Sequence, residues 1–348
     1  MDFPPSIGAG VAQGLAARLA ARIASEGQIT FPAVPALVDD YTERCMQVFA
    51  GLGRVFNEAE RAHVRSVLDR QLADAFSRSQ RSVITVAYRS PVSNSLSYEV
   101  TVRAPTIDQV YQDWVATRTP PLFGVEPDAR VWALAGESPD PADCRVLDIG
   151  AGTGRNAIPL ARRGHPVDVV EMTEKFAEII RESARRDSLD IRVINRDVFE
   201  TDADLRTDYR IILLSEVVSD FRDPAQLRDL FTLATRCLAP GGHLVFNIFL
   251  ARPSYISDDA ARQFGQQVYT TFFTRSEVET AVAGLPLKRV ADDSVYEYES
   301  AHLPDGAWPP TGWYANWVSG HDVFGLDREH SPIDMRWLVY RKTAPVDR

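Results

Sequence analysis

The 348-residue sequence predicts an α/β protein built on a doubly wound, mostly parallel sheet. From Arg145 onward, short apolar runs alternate with helical patterns, as strands joined by crossover helices require. The first of those runs, Val146 to Ile149, leads into the glycine-rich loop Gly150-Ala151-Gly152-Thr153-Gly154 and then a helical pattern, the order in which such sheets build ligand sites. A composition of 45% apolar and 25% charged residues is that of a chain with a sizeable core. At about 150 residues per domain, the length suits one such domain with a large addition.

The elements follow from their periodicities. Val11, Leu15, Leu19 and Ile23 recur at i, i+4 and predict a helix with one narrow apolar seam. Val34, Leu37, Val38, Tyr41, Cys45, Val48, Phe49 and Leu52 predict a second helix, stopped by Gly51 and Gly53. A third opens at Asn57, with Glu60 completing a capping box. Residues 1–82 are therefore expected to be helical. Val83 to Tyr88 and Leu96 to Val102 are β-branched and aromatic runs around a loop-forming Pro91–Ser95, and predict a β-hairpin. That hairpin, a helix from about 107, the proline pair Pro120-Pro121 and a Pro- and Asp-rich linker make up residues 83–143. The main domain is expected over 144–348, with strands at 145–149, 166–171, 190–196, 209–215 and 243–250. Helices are expected near 155–163, 174–187, 224–238 and 275–283, and an antiparallel closing pair at Leu287–Tyr298 and Met335–Lys342.

Composition also narrows function. Lys plus Arg number 38 against 48 Asp plus Glu, and a net charge of −10 repels a phosphate backbone, so no nucleic-acid partner is expected. Cys45, Cys144 and Cys237 form no CxxC pair or even-numbered framework, which suits a reducing, cytoplasmic setting. No apolar run approaches the ~18 residues of a membrane span, and the start MDFPPSIGAG lacks the features of a signal peptide. Ala and Arg in the first helix also fit a transit peptide, although Asp2 and the packing seam favour a folded role.

The glycine loop selects its ligand. A dinucleotide fingerprint GxGxxG needs glycine where Arg155 stands, and Asp148 would repel a pyrophosphate. An acid at that point suits an ammonium group. Glu171, twenty-one residues after Gly150, has the spacing of a carboxylate that accepts from ribose hydroxyls. Ribose without phosphate is the indicated ligand chemistry.

With Val146-Leu147-Asp148-Ile149-Gly150-Ala151-Gly152-Thr153-Gly154-Arg155-Asn156, Glu171, Asn195-Arg196-Asp197-Val198 and Leu238-Ala239-Pro240-Gly241-Gly242 in order, the chain resembles the class I S-adenosylmethionine-dependent methyltransferases of small-molecule type. The resemblance covers about 145–298 and the final strand near 335–342. It implies a seven-stranded Rossmann-like sheet whose last strand is antiparallel, and S-adenosyl-L-methionine as cofactor. By the same implication Asp148, Gly150, Gly152 and Gly154 hold its methionine part, while Glu171, Met172, Asp197 and Val198 hold the adenosine and Ser215 adds a contact. The Leu238–Gly242 segment corresponds to the family's turn before the fifth strand.

The acceptor is expected beyond the carboxyl ends of strands four and five. Ser215-Glu216-Val217-Val218-Ser219-Asp220-Phe221-Arg222-Asp223-Pro224 resembles the SEVLEHxxDP run of small-molecule methyltransferases, with Asp220 in place of the histidine. Glu216 is the candidate catalytic residue, able to orient an amine and draw off its proton. Tyr296, Glu297, Tyr298, Glu299, His302, Trp308, Trp313, Tyr314, Trp317 and His321 fall in or near a candidate lid at 300–333, a mixture suited to an organic cation or to simple packing. The histidines are too irregularly spaced for a metal site, and none is expected. Tyr111 and Trp114 lie where they could cover the cofactor.

The expectation is thus a methyltransferase acting on a small molecule, leaning to N-methylation of a cationic amine or guanidino metabolite. O-methylation of a phenolic or carboxylate metabolite stands beside it, as does a non-catalytic S-adenosylmethionine-binding protein that docks a partner. The N-terminal helices are the candidate homodimer contact. Ser215-Glu216 after strand four also resembles the first acid of the protein arginine methyltransferases, but that family's second acid and Thr-His-Trp motif are not evident, and the [DNS]PP[YFW] run of nucleic-acid amino methyltransferases is absent.

Overall fold

The computed structural model describes residues 5–20, 24–91, 96–200 and 204–343. The chain forms two compact units, one of residues up to Ile107 together with Asp259–Gln267, the other of Asp108–Asp258 with the residues from Val268 onward. Contact thus groups the hairpin with the N-terminal helices rather than with the 83–143 segment.

The first unit begins with α1 (Pro5–Ala20) and β1 (Ser25–Pro32), continues with α2 (Val38–Gly51) and α3 (Glu58–Arg78), and closes with β2 (Val83–Ser90) and β3 (Ser97–Arg103). The stretch expected to be wholly helical therefore contains a strand. β1 pairs antiparallel with β2 along its whole length, and β2 pairs with β3. The Pro91–Ser95 loop falls largely outside the described residues. Phe31 on β1 and Ile84 and Val86 on β2 meet Tyr41, Cys45 and Phe49 of α2 and Leu68 and Leu72 of α3 in one core. The capping box at Asn57 and Glu60 is formed, with the Glu60 amide donating to Asn57 Oδ1 at 3.0 Å. The α1 seam does not pack as expected: Val11, Leu15 and Leu19 are 65, 59 and 57% exposed, and Ile23 lies outside the described residues.

The second unit runs α4 (Ile107–Thr117), α5 (Ala129–Ala135), β4 (Val146–Ile149), α6 (Ala157–Arg162), β5 (Val167–Val170), α7 (Glu174–Asp187), β6 (Ile191–Ile194), β7 (Tyr209–Leu214), α8 (Pro224–Cys237) and β8 (Leu238–Ala251). After α9 (Asp259–Gln267) come β9 (Phe272–Phe273), α10 (Arg275–Val282), β10 (Leu287–Ser294), α11 (Val295–His302), α12 (Tyr314–Val318), α13 (His321–Phe324) and β11 (Ile333–Lys342). The sheet order is β10-β11-β8-β7-β4-β5-β6, with β9 added on β8. β4 to β8 are mutually parallel, and β11 is antiparallel to both β8 and β10. This is the doubly wound sheet with an antiparallel closing strand that the sequence predicts.

Three expectations in this unit are corrected. Val295–Tyr298 are the first turn of α11, not the end of a strand. Leu238–Gly242 belongs to β8, with a register shift against β7 between Tyr209 and Ile211, rather than to a turn before it. Edge strand β6 is only partly buried, so it has a wet side. α5 is an element that the periodicity did not announce.

Although α9 follows β8 in sequence, it joins the first unit. Gln263 Oε1 accepts from the Ala36 amide at 2.9 Å, Gln267 Nε2 donates to the Ser82 carbonyl at 2.8 Å, and Phe264 packs on that unit's core.

Candidate active site

β4 and β7 are adjacent and parallel, so their carboxyl ends bring the glycine loop and the Ser215-Glu216 segment to the same edge of the sheet. Gly150, Gly152 and Gly154 take φ of 69°, 55° and 87°, the left-handed region that side chains resist. A Cβ at Gly150 would lie 2.4 Å from Val217 Cγ2, and one at Gly154 2.7 Å from Ile158 Cδ1. The loop is a cradle that only glycine can form.

Asp148 ends up buried below that loop, and its Oδ2 has no hydrogen-bond partner among the described residues. Burial first, then the Asp128 and Glu171 carboxylates, push its carboxyl up to about 8. A buried carboxylate oxygen without a donor is expensive unless a cation meets it. Glu171 stands just beyond β5, with Oε1 accepting from the Thr173 amide and Oε2 from the Gly152 amide, both at 2.8 Å. Each oxygen retains a lone pair for a ligand hydroxyl. The Asn195 amide group donates to the Glu171 carbonyl at 2.8 Å and to the Met172 carbonyl at 3.1 Å, joining the ends of β5 and β6. Met172 is 42% exposed. Asp197 is exposed and accepts from the Phe199 amide at 2.9 Å, and Val198 beside it is buried. The unpartnered Asp148 oxygen suits an ammonium and the Glu171 carboxylate a pair of hydroxyls, so the residues present fit S-adenosylmethionine.

Aromatic rings border the loop. A Cβ on Gly152 would lie 3.3 Å from the Phe123 ring, which contacts Phe176 and stacks near Trp114. Tyr111 on α4 donates to Asp220 Oδ2 at 2.9 Å, and Trp114 packs on Tyr269.

Glu216 takes a φ of 63° at the end of β7, a conformation a non-glycine residue adopts only when its surroundings hold it. Two contacts do so. Its amide donates to Asn247 Oδ1 on β8 at 2.7 Å, and its Oε1 accepts from Arg155 Nη2 at 2.6 Å. Arg155 also donates to Ser215 Oγ at 3.2 Å and to Asp128 Oδ1 at 2.7 Å. Burial raises the Glu216 carboxyl to about 7 even though Arg155 opposes the shift. Asp128 is braced by Asn156, and the next two amides, of Ala129 and Arg130, donate to Glu299, which also accepts from Trp337 Nε1 at 2.9 Å. One buried guanidinium therefore serves a group of carboxylates that outnumbers it.

Sequence reasoning names Ser215, Glu216 and the glycine loop, which the structure brings to one edge of the sheet, and does not name as site residues Arg155, Asp128 and Asn247, which belong to the same hydrogen-bonded group. In the sequence Arg155 stands out as the residue that breaks GxGxxG, and its charge is the signal that could mark it as part of the site. Among the 300–333 residues, Tyr314 and Trp317 are buried, and Trp317 Nε1 donates to the Tyr269 carbonyl at 2.9 Å. His302, His321 and His330 bond locally to Tyr298, Leu326 and Asp327. Among the described residues no group of His, Cys, Asp and Glu could hold a metal ion, and no helix is long and apolar enough to cross a membrane.

Residues 146–242 match the family model described as a methyltransferase domain. Residues 146–242 therefore carry a methyltransferase domain, seated on the doubly wound sheet and glycine cradle already described, whose residues fit S-adenosylmethionine. No curated protein matches the sequence significantly. Similar solved structures include a geranyl diphosphate C-methyltransferase from Streptomyces coelicolor A3(2), 17% identical over 62% of this chain and 77% of that one, with a TM-score of 0.48. Another is a putative sarcosine dimethylglycine methyltransferase from Galdieria sulphuraria, 16% identical over 68% of this chain and 98% of that one, TM-score 0.48. The [4+2]-cyclase SpnF is 15% identical over 69% and 97%, TM-score 0.47.

Proposed function

We propose that this protein transfers a methyl group from S-adenosylmethionine to nitrogen in a small cationic amine or guanidino compound, with Glu216 as the catalytic base. The observation that carries the reading is Glu216 itself: largely buried, with 12% of its side chain exposed, held in a left-handed conformation by Arg155 and Asn247, and one strand over from the glycine cradle. The cofactor, when bound, would supply the methyl group on a sulfonium, whose sulfur leaves as a neutral thioether without help from an acid. The work left to the protein is alignment and the release of a nitrogen lone pair.

Asp148 would meet the cofactor's ammonium, and Glu171 its ribose hydroxyls. Glu216 would accept a hydrogen bond from the acceptor nitrogen, hold it toward the methyl group and take its proton. A carboxyl near 7 is poised for that exchange at neutral pH. Arg155 stays charged and keeps Glu216 oriented. The surplus of buried carboxylates favours a cation over a phenolate or a carboxylate acceptor.

The test is incubation of the purified protein with methyl-labelled S-adenosylmethionine and a fractionated metabolite extract, read by mass spectrometry. The expected result is a labelled N-methyl product, formed about 100-fold or more slowly by Glu216→Gln. Binding of S-adenosylhomocysteine, measured by calorimetry, should be the same in both proteins. An O-methyl product with full activity in Glu216→Gln overturns the nitrogen reading. Cofactor binding without any transfer would favour the non-catalytic alternative.

A further inference from the structure

Two buried donor groups, Asn247 Nδ2 and the Tyr314 hydroxyl, have no hydrogen-bond partner among the described residues. Asn247 is 1% exposed, and its Oδ1 is identified by the Glu216 amide that donates to it. The other end of that side chain, the Nδ2 donor, has no partner among the described residues. Tyr314 is likewise 1% exposed, and its hydroxyl has no partner there either. Tyr314 stands on α12, where Trp317 packs edge-on against Phe249, two residues along β8 from Asn247 and so on the same face of the strand. Burial, and after it the negative charges of Glu216 and Asp128, hold the hydroxyl well above the usual phenol range, against the opposing charge of Arg155.

An unpartnered amide donor and an unpartnered hydroxyl are each costly to bury, and a ligand group that accepts from both would recover that cost. Both donate, whereas Glu216 accepts. A substrate that satisfies all three carries a nitrogen for Glu216 and an oxygen for Asn247 and Tyr314. That oxygen is uncharged, because a carboxylate would be driven out by Asp128, Glu216 and Glu299.

We propose that Asn247 and Tyr314 are acceptor-recognition residues, and that the acceptor is an amine bearing a hydroxyl or carbonyl oxygen close to the nitrogen that is methylated. The inference rests on the reading of Glu216 as the base and adds the polar partner of the substrate. It also gives the 300–333 segment a direct role, since Tyr314 arises from it.

The experiment compares wild type, Tyr314→Phe and Asn247→Asp with the same labelled cofactor and metabolite extract, and then with the product's unmethylated precursor in pure form. Tyr314→Phe deletes one hydroxyl and leaves the ring in place; Asn247→Asp keeps an acceptor for the Glu216 amide but removes the donor. The expected result is a precursor with a neutral oxygen near its amine, whose KM rises about 10-fold or more in each variant while the affinity for S-adenosylhomocysteine is unchanged. A thermal midpoint near that of wild type in at least one variant shows that the change is not one of folding. Unchanged KM values, or a precursor without such an oxygen, overturn the inference while the methylation reading stands. If the wild type transfers no label, both fall.

Discussion

Among the described residues Arg155 is the one guanidinium bonded to both Asp128 and Glu216, so its removal has a calculable consequence. Arg155→Met would leave the buried Asp128 and the largely buried Glu216 without their counter-charge, and a loss of about 3–5 kcal/mol is expected in denaturant unfolding. Asp148→Asn, which keeps the shape but discards the charge, is expected to weaken S-adenosylmethionine binding about 10- to 100-fold by calorimetry, the worth of a charge-assisted hydrogen bond. For Glu216 the signature is in pH. With its carboxyl raised to about 7, the fraction in the base form grows as pH rises through that value, so kcat/KM should climb with pH near 7 and then level. A flat profile from pH 6 to 8 would argue against proton removal by Glu216. These residues differ in how far the sequence exposed them. Asp148, Glu171 and the glycines sit at spacings that backbone geometry imposes, so they could be identified from one chain. Arg155, Asp128 and Asn247 meet only after strands far apart in sequence become neighbours.

At the scale of elements, whatever carried its own local signal was readable and whatever depended on a distant partner was not. α7 and α8 have full amphipathic periods and α3 its capping box, and all three were foreseen. Asn57→Ala should cost about 1 kcal/mol in chemical denaturation, because it removes the acceptor for the Glu60 amide. β1, in contrast, is a Ser- and Gly-containing segment whose alternation is weak; it is a strand because β2 supplies its ladder. The aromatic run at 295–298 has a strand's composition, yet it turns into α11. That turn places Glu299 where it accepts from the first amides of α5 and from Trp337. The 300–333 segment is anchored at Gly320, with φ 74° and a would-be Cβ 2.4 Å from Ile333. Gly320→Ala is expected to destabilise the protein by about 1–3 kcal/mol, read as a lower thermal midpoint. If Tyr314 recognises the acceptor, this variant should also raise its KM.

For the molecule as a whole, the buried acids set a pH dependence of stability. Asp148, Glu216 and Glu299 are raised to about 8, 7 and 7, so between their ordinary values and these the folded chain binds more protons than the unfolded one. Stability then falls as pH rises through that window. His165 and His243, lowered by burial, act the other way, but only up to their ordinary value near 6.5. The thermal midpoint of the cofactor-free protein is therefore expected to decline from pH 6.5 to 8.5, and a midpoint that rises over that interval would contradict the buried acid cluster.

The excursion of α9 bears on how the chain must be made. During synthesis, β1, β2, β3 and the two helices that cover them emerge within the first 107 residues, but the segment that bonds Ala36 and Ser82 is translated only after β8. The first unit is therefore left unfinished until most of the second has left the ribosome. A fragment ending at residue 107 should show greater amide-exchange protection around Ala36 when a peptide spanning 259–267 is added, and cutting the chain at its apparent domain boundary would separate two units that share three covalent crossings.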